Sequence, residues 1–374
     1  MAKIKRGKQK KYGNLSHRDK FDEDRIDVRQ VTDHEHMRGR ADRWRERVNE
    51  DELTPIYNPA DWAAYPLGTV LSMLSGHHYI RLDDTGEVID ARVRGILKHG
   101  IQNTTTVVSP GDRVHVELLE EGTGSIVALT PRKTTLSRPD PIRTHLEDVI
   151  VANVEQIIIV SSVGGPAFWP ELVDRYLVFA GYYELEPLII INKMDQAAPG
   201  ELENIRALYE EKLGYRVLST SAEKGLGIEP VREAVRGRSN AIVGLSGVGK
   251  SSLLNAIQPG LNLRVQAVNE TYGGEGKHTT RMTTLHPLAM GGFIADTPGI
   301  RSFGLWDLTP EEVDYYFVEF RPYLGQCKFA NCTHHHEPGC ALQAAVEAGT
   351  LAPSRFDSYQ ILHAETDPAR ERPY

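Results

Sequence analysis

No run of about 18 consecutive apolar residues occurs in this chain, so no segment of it reads as a bilayer-spanning helix, and no membrane association is expected. The N-terminus is basic, but no apolar stretch of about 7–15 residues follows it, which argues against a secretory signal and makes the cytoplasm the expected compartment. Cysteine is scarce, with three in 374 residues. An odd number gathered at Cys327, Cys332 and Cys340 suits a metal site better than a disulfide framework. Net positive charge is also missing: the formal charge is −8, which taken alone argues against a nucleic-acid partner. Its distribution is uneven, however. Residues 1–11 carry Lys3, Lys5, Arg6, Lys8, Lys10 and Lys11 without one acidic residue, so a basic arm precedes an acidic body.

With 40% apolar and 25% charged residues, the chain is long enough for two or three domains with real cores. Residues 1–60 are highly charged, poor in large aliphatics and without a sustained period. They are expected to form a mostly disordered arm of the kind that binds RNA phosphates. Over residues 65–140 short β-like runs alternate with turn residues. Strands are predicted over residues 69–74, 78–82, 88–93, 105–108, 113–118 and 125–129, broken by Ser75-Gly76, Asp83-Asp84-Thr85-Gly86, Ser109-Pro110-Gly111-Asp112 and Glu121-Gly122-Thr123-Gly124. Short strands with no helical period predict a small all-β barrel of the OB type, a fold that often binds RNA.

From residue 145 the rhythm becomes α/β. Strands are predicted over residues 157–160, 187–191 and 216–220 and from Ala241, and helices over 170–181, 200–214 and 227–236. Strands that are apolar throughout and alternate with helices predict a mostly parallel sheet covered on both faces.

The stretch Gly244, Leu245, Ser246, Gly247, Val248, Gly249, Lys250, Ser251, Ser252 fits G-x-x-x-x-G-K-S/T between a predicted strand and a helix start. Its glycines let backbone N–H groups turn inward around a diphosphate, where the helix N-terminus adds partial positive charge. Lys250 would reach the β and γ phosphates, and the Ser251 hydroxyl would bind Mg²⁺. A second loop, Asn192-Lys193-Met194-Asp195, follows a predicted strand, and a third begins Ser221-Ala222. A carboxylate at a strand end accepts two parallel N–H bonds from the edge of guanine, a pairing adenine does not supply. Asp195 would therefore choose the base, Asn192 and Lys193 would hold the loop, and the Ala222 N–H would meet the guanine oxygen.

Beyond the phosphate loop, residues 264–282 are glycine-rich with few apolar anchors, as a segment ordered by a γ-phosphate would be. Asp296-Thr297-Pro298-Gly299 then gives D-x-x-G at a strand end. Asp296 would hold Mg²⁺ through water, and Gly299 would offer its N–H to the γ-phosphate.

The four motifs are those of a Ras-like GTPase in a rotated order, with N-K-x-D and S-A ahead of the phosphate loop. With a barrel in front and a Cys/His cluster behind, the chain resembles the ribosome small-subunit-dependent GTPases of the RsgA family over roughly residues 68–365. The resemblance implies a multidomain fold: an OB barrel (65–140), a circularly permuted P-loop GTPase domain (145–305) and a C-terminal α-helical zinc-binding domain (306–374). It also implies a GTP hydrolase that binds ribosomal RNA, acts as a late assembly factor of the 30S subunit, and is stimulated by it. A monomer is expected. The alternative is a GTP-dependent RNA-binding regulatory module acting on a non-ribosomal partner.

Many GTPases place a glutamine just beyond D-x-x-G to orient the attacking water. Ile300 stands here instead and cannot do so, which predicts slow turnover by the isolated chain. His278 is the local replacement, in a Gly276-Lys277-His278-Thr279-Thr280 segment similar to the family's G-x-H-T-T. Either threonine could bind Mg²⁺, and Thr280 is preferred. Cys327, Cys332 and Cys340 with one imidazole make a full tetrahedral set for one structural Zn²⁺. His335 and His336 are rival ligands, and His334 is preferred because C-x4-C-x-H-x5-C matches the family signature. Thr309 and Glu312 predict a capping box opening a helix through Val313, Tyr316, Phe317 and Phe320, with further helices over 341–348 and 355–364. Finally, the rotated order joins the segment beyond Gly299 directly to the zinc-binding part, which suggests that hydrolysis is felt there.

Overall fold

Five short strands close on themselves ahead of a six-stranded α/β sheet in the computed structural model. It describes residues 62, 64–94, 106–120, 122–139, 147–261, 283–296 and 308–366. The closed unit runs β1 (Leu67–Leu74), β2 (His77–Leu82), β3 (Val88–Val93), β5 (Thr123–Leu129) and β4 (Arg113–Leu118), with β4 returning to β1. Only the β3–β5 pair is parallel. Alternation explains the closure: Val70, Ile80, Leu82, Ile89, Val114, Val116 and Ile126 turn inward from successive strands and share one buried cluster.

The strand expected over 105–108 is not formed in its described residues, although Val108 is fully buried. The backbone there is taken by other partners. Arg132 donates to the Val107 carbonyl at 3.2 Å, and the Ser109 N–H donates to the Asp112 carboxylate at 2.7 Å, tightening the turn at that point. A separate ribbon of β6 (Thr135–Pro139) and β7 (Glu147–Ala152), absent from the sequence expectation, follows the barrel.

The large sheet has the order β10-β9-β8-β11-β13-β12. β8 (Gln156–Ser162), β9 (Glu186–Asn192), β10 (Arg216–Ser219), β11 (Ser239–Val243) and β13 (Phe293–Asp296) are parallel, and β12 (Thr284–Pro287) is an antiparallel edge. Every residue of β8 is buried, because both faces are covered. Ile157 and Ile159 join the cluster holding Val173 and Leu177 of α1 (Pro170–Tyr182). Ile158 and Val160 join Val231 of α3 (Ile228–Val235) and Leu253 of α4 (Lys250–Ile257). Each such isoleucine contributes about 1.5–3 kcal/mol by leaving water. The helix expected over 200–214 is α2 (Glu201–Arg206) followed by a π-helical turn at Ala207–Lys212. The wider turn points Tyr209 inward, where its hydroxyl donates to Asp174 of α1 at 2.7 Å.

After α5 (Pro310–Val313) the expected continuous helix breaks into single 3₁₀ turns at Asp314–Tyr316 and Arg321–Tyr323. Pro322 has no N–H to continue an α-helix, and Arg321 Nε takes the Tyr315 carbonyl at 3.0 Å, so the chain closes i→i+3 bonds such as Phe320 N–H to Phe317 O at 2.8 Å. The capping box at Thr309 and Glu312 is formed as expected. Val313, Tyr316, Phe317 and Phe320 remain buried, in the same cluster as α1 and residues of α6 (Ala341–Glu347) and α7 (Pro353–Thr366). The C-terminal segment therefore shares the core of the sheet. A buried ionic group fastens it: Arg355 of α7 donates to Asp174 at 2.6 Å and to Glu319 at 2.6 and 3.1 Å, with its guanidinium 4.5 Å from the Phe317 ring centre.

Candidate functional site

Because β8, β9, β11 and β13 are parallel and in register, their C-terminal ends share one edge of the sheet. Ser162 lies beside Asn192, and Ile242 lies beside both Ile158 and Asp296. β10 joins β9 with Ser219 beside Ile191, which brings Ser221 and Ala222 to that same edge. The four sequence motifs, scattered from 192 to 296, thus meet along one line.

The phosphate loop leaves β11 at Gly244 and enters α4 at Lys250, with Ser251 and Ser252 in its first turn. Two of its glycines are obligatory. Gly244 has φ +140°, and a Cβ there would meet the Val160 carbonyl oxygen at 2.1 Å; Gly249 has φ +94°, and its Cβ would meet Asn192 Nδ2 at 2.4 Å. The Lys250 ammonium folds back to donate to the carbonyls of Gly244 at 2.9 Å and Leu245 at 2.7 Å, across the mouth of its own loop.

Asn192 is buried at the centre of the arrangement. Its Nδ2 donates to the Val248 carbonyl at 2.8 Å, while its Oδ1 accepts from the Thr220 hydroxyl at 3.1 Å and the Ala222 N–H at 3.0 Å. One side chain therefore ties together the loops of all three glycine, N-K-x-D and S-A segments. The Ala222 N–H, expected to face a base oxygen, is engaged by Asn192 in this arrangement. Lys193 takes a left-handed backbone conformation and donates to the Gly165 carbonyl, bracing the loop after β8. Met194 opens a short 3₁₀ turn that carries Asp195 to the rim. The Ser221 hydroxyl foremost, then the Lys224 ammonium at 3.2 Å, hold the Asp195 carboxyl below the usual carboxylate range. Thr220 and Lys224 were not anticipated; their only signal is adjacency to Ser221-Ala222. Ser246 and Gly247 complete the loop, and Asp296 ends β13 next to it. His278, Thr280 and Gly299 lie outside the described residues, as does the arm of residues 1–60.

A second constellation forms in the C-terminal segment. One donor atom from each of Cys327, Cys332, His334 and Cys340 lies within 4.8 Å of every other. His334 Nδ1 is 3.3 Å from the Cys340 sulfur and 3.5 Å from that of Cys327, close to the separation of about 3.5–3.8 Å between ligands around tetrahedral zinc. Its Nε2 faces the Asp314 carboxylate at 3.4 Å, the outer partner that fixes a ligating imidazole. His335 instead points to His363 at 3.2 Å, and His336 is exposed. Burial pushes the Cys332 thiol up to about 12 and raises that of Cys340, a penalty a cation among them would offset. The donor set fits a metal such as zinc.

Residues 129–306 match the family model described as RsgA GTPase. The Small ribosomal subunit biogenesis GTPase RsgA of Moorella thermoacetica is 44% identical over 307 residues, covering 82% of this chain and 99% of the relative. The chain belongs to the RsgA GTPase family. The protein of that description from Thermotoga maritima is 41% identical over 293 residues, covering 78% of this chain and 94% of its own length. Among solved structures, YjeQ from Thermotoga maritima superposes with a TM-score of 0.67 at 36% identity, covering 82% of this chain and 99% of that one. YloQ, described as a circularly permuted GTPase, superposes with a TM-score of 0.63 at 31% identity, covering 85% and 100%. Membership in the family makes the chain a GTP-hydrolysing enzyme. Among the described residues no helix is long and apolar enough to cross a membrane.

Proposed function

We propose that this chain hydrolyses GTP as a late assembly factor of the small (30S) ribosomal subunit, binding ribosomal RNA and being stimulated by the subunit. The observation that carries the reading is the Asn192 tether, which joins a guanine-type carboxylate loop to a phosphate loop across a single sheet edge. The printed names of the relatives support the ribosomal partner.

In this reading Asp195 accepts the N–H pair of guanine, and Ser221 and Asn192 hold the S-A loop against the base. Lys250 exchanges its two loop carbonyls for β and γ phosphate oxygens, and the glycine loop from Gly244 to Ser252 supplies N–H donors. Ser251, Thr280 and Asp296 (through water) would hold Mg²⁺, which supplies charge neutralisation for the phosphates. Gly299 offers its N–H to the γ-phosphate, and His278 orients the attacking water. We read the closed five-stranded unit as an OB-type barrel occupying 65–140, the permuted GTPase domain as 145–305, and the helical zinc-binding domain as 306–374, with one structural Zn²⁺ on Cys327, Cys332, His334 and Cys340. The basic arm, barrel and zinc domain bind the RNA of a cytoplasmic target, and the chain acts as a monomer.

The test is GTP hydrolysis by the purified chain with small subunits, with large subunits and with bulk RNA. Stimulation by small subunits alone is expected, and His278→Ala should remove it while sparing GTP binding. Equal rates in all three conditions would leave a GTPase acting on another partner.

A further inference from the structure

Between Pro66 and Asp140 the chain has one Phe, Tyr or Trp, and it is Tyr79. The barrel does not use it for packing. β2 alternates strictly, with His78, Ile80 and Leu82 turned in, and Tyr79 stands outward with 37% of its surface exposed. It faces Ser72 on β1 and Asp90 on β3, in the middle of a three-stranded outer surface.

Charge on that surface is not distributed like charge elsewhere on the barrel. Arg113 is paired with Asp83, Arg132 with Asp112 and Arg94 with Glu117. Arg81 and Arg92, which flank Tyr79 on β2 and β3, have no carboxylate within 4.0 Å among the described residues. Arg92 is nevertheless held in place: it donates to His77 Nε2 at 3.0 Å, and His77 Nδ1 faces the Asp90 carboxylate at 2.9 Å. The Asp90 carboxylate thus stands one imidazole ring away from the Arg92 guanidinium, orienting it without contacting it.

An exposed aromatic on a rigid strand, between two guanidiniums that no described carboxylate contacts, matches the demands of one nucleotide: a π-face for the base and cations for the flanking phosphates. We propose that the outer β1–β2–β3 surface is a binding site for an unpaired nucleobase of single-stranded RNA, with the base on Tyr79, one phosphate on Arg92 and the next on Arg81. His77 and Asp90 are positioning residues for Arg92. This deepens the RNA-binding reading above and rests on it for the source of the RNA.

The experiment uses the full chain, with a short single-stranded RNA and purified small subunits as separate probes. Tyr79→Ala should weaken both affinities by about 5- to 150-fold, while Tyr79→Phe keeps the ring and stays near wild type. Arg92→Gln should lower the slope of log affinity against log salt by about 0.7. Guanine nucleotide affinity and the melting midpoint, unchanged in all three, show that the variants fold. Wild-type RNA affinity in Tyr79→Ala overturns the site. Loss of subunit binding with RNA binding intact also overturns it, because the surface would then dock a protein. A wild-type chain that ignores subunits but binds RNA through Tyr79 removes the ribosomal assignment and supports the site.

Discussion

Replacing Asn192 with alanine probes the joint between base and phosphate recognition. The substitution removes three hydrogen bonds, to Val248 O, from the Thr220 hydroxyl and from the Ala222 N–H. At a net of about 1 kcal/mol each they total about 3 kcal/mol, but the Ala222 N–H is one that a guanine oxygen would claim on binding, so its loss is offset in the nucleotide complex. The remaining two give about 2 kcal/mol, or roughly 30-fold weaker binding of GDP and GTP, if the tether's main effect is to pre-set the pocket. In the free protein all three bonds are lost, and about 3 kcal/mol would lower its melting midpoint by about 6–12 °C. Calorimetric titration at a temperature well below the midpoint separates the two effects. GDP affinity within about twofold of wild type, in a variant whose midpoint has fallen as expected, would show that the tether stabilises the fold without organising the site, and the reasoning would fail.

Three further outcomes follow from the same geometry. Arg355→Met leaves Asp174 and Glu319 facing each other in the core without their cation, and should cost about 3–5 kcal/mol, seen as a fall of about 6–20 °C in thermal melting; a shift of under 2 °C would mean the group is not buried as a unit. Chelation should lower the midpoint by about 5 °C or more, and because metal must displace protons from thiols raised by burial, Cys332 to about 12, apparent metal affinity should fall as pH falls, with proton release measurable on metal uptake. The Asp195 carboxyl is held below the ordinary carboxylate range by Ser221 and Lys224, so its charged form is favoured above that range and lost only as pH falls through the lowered value. GDP affinity should therefore stay level from about pH 8 to about pH 5, and a decline centred near pH 6 would assign the titration to another group.

Much of the catalytic sheet was legible because its strands are short apolar runs ended by polar loops. The runs at Ile157–Val160 and Leu188–Ile191 need no partner to be read, since both faces are covered. The glycine loop was legible for a different reason: Gly244 and Gly249 are imposed by close approach to Val160 and Asn192, so their spacing is fixed by geometry. What escaped was whatever depends on distant partners. The Arg355–Asp174 contact spans 181 residues, and an arginine on a helix reads as solvated until its carboxylates are known. The π-turn at Tyr209 follows from the same buried carboxylate. Residues 313–320 repeat at helical spacing, but Arg321 Nε takes the Tyr315 carbonyl and Pro322 has no N–H to offer, and the helix gives way to 3₁₀ turns. The β6 strand was hidden because Ser137, Arg138 and Pro139 do not look like a strand. At the metal centre the sulfur ligands were evident, whereas the choice of His334 over its two neighbours becomes physical only through Asp314 behind its ring.

The most direct test of the account titrates the diphosphates of guanosine, adenosine and xanthosine into the wild-type chain and into Asp195→Asn. Two parallel N–H bonds to a carboxylate predict that wild type prefers the guanine nucleotide by about 100-fold or more. The asparagine, offering one acceptor and one donor, should shift the preference to xanthine, whose 2-oxo group replaces the guanine amine. An unchanged preference in the variant, or equal binding of guanosine and adenosine diphosphates by wild type, would contradict a base site at the end of β9.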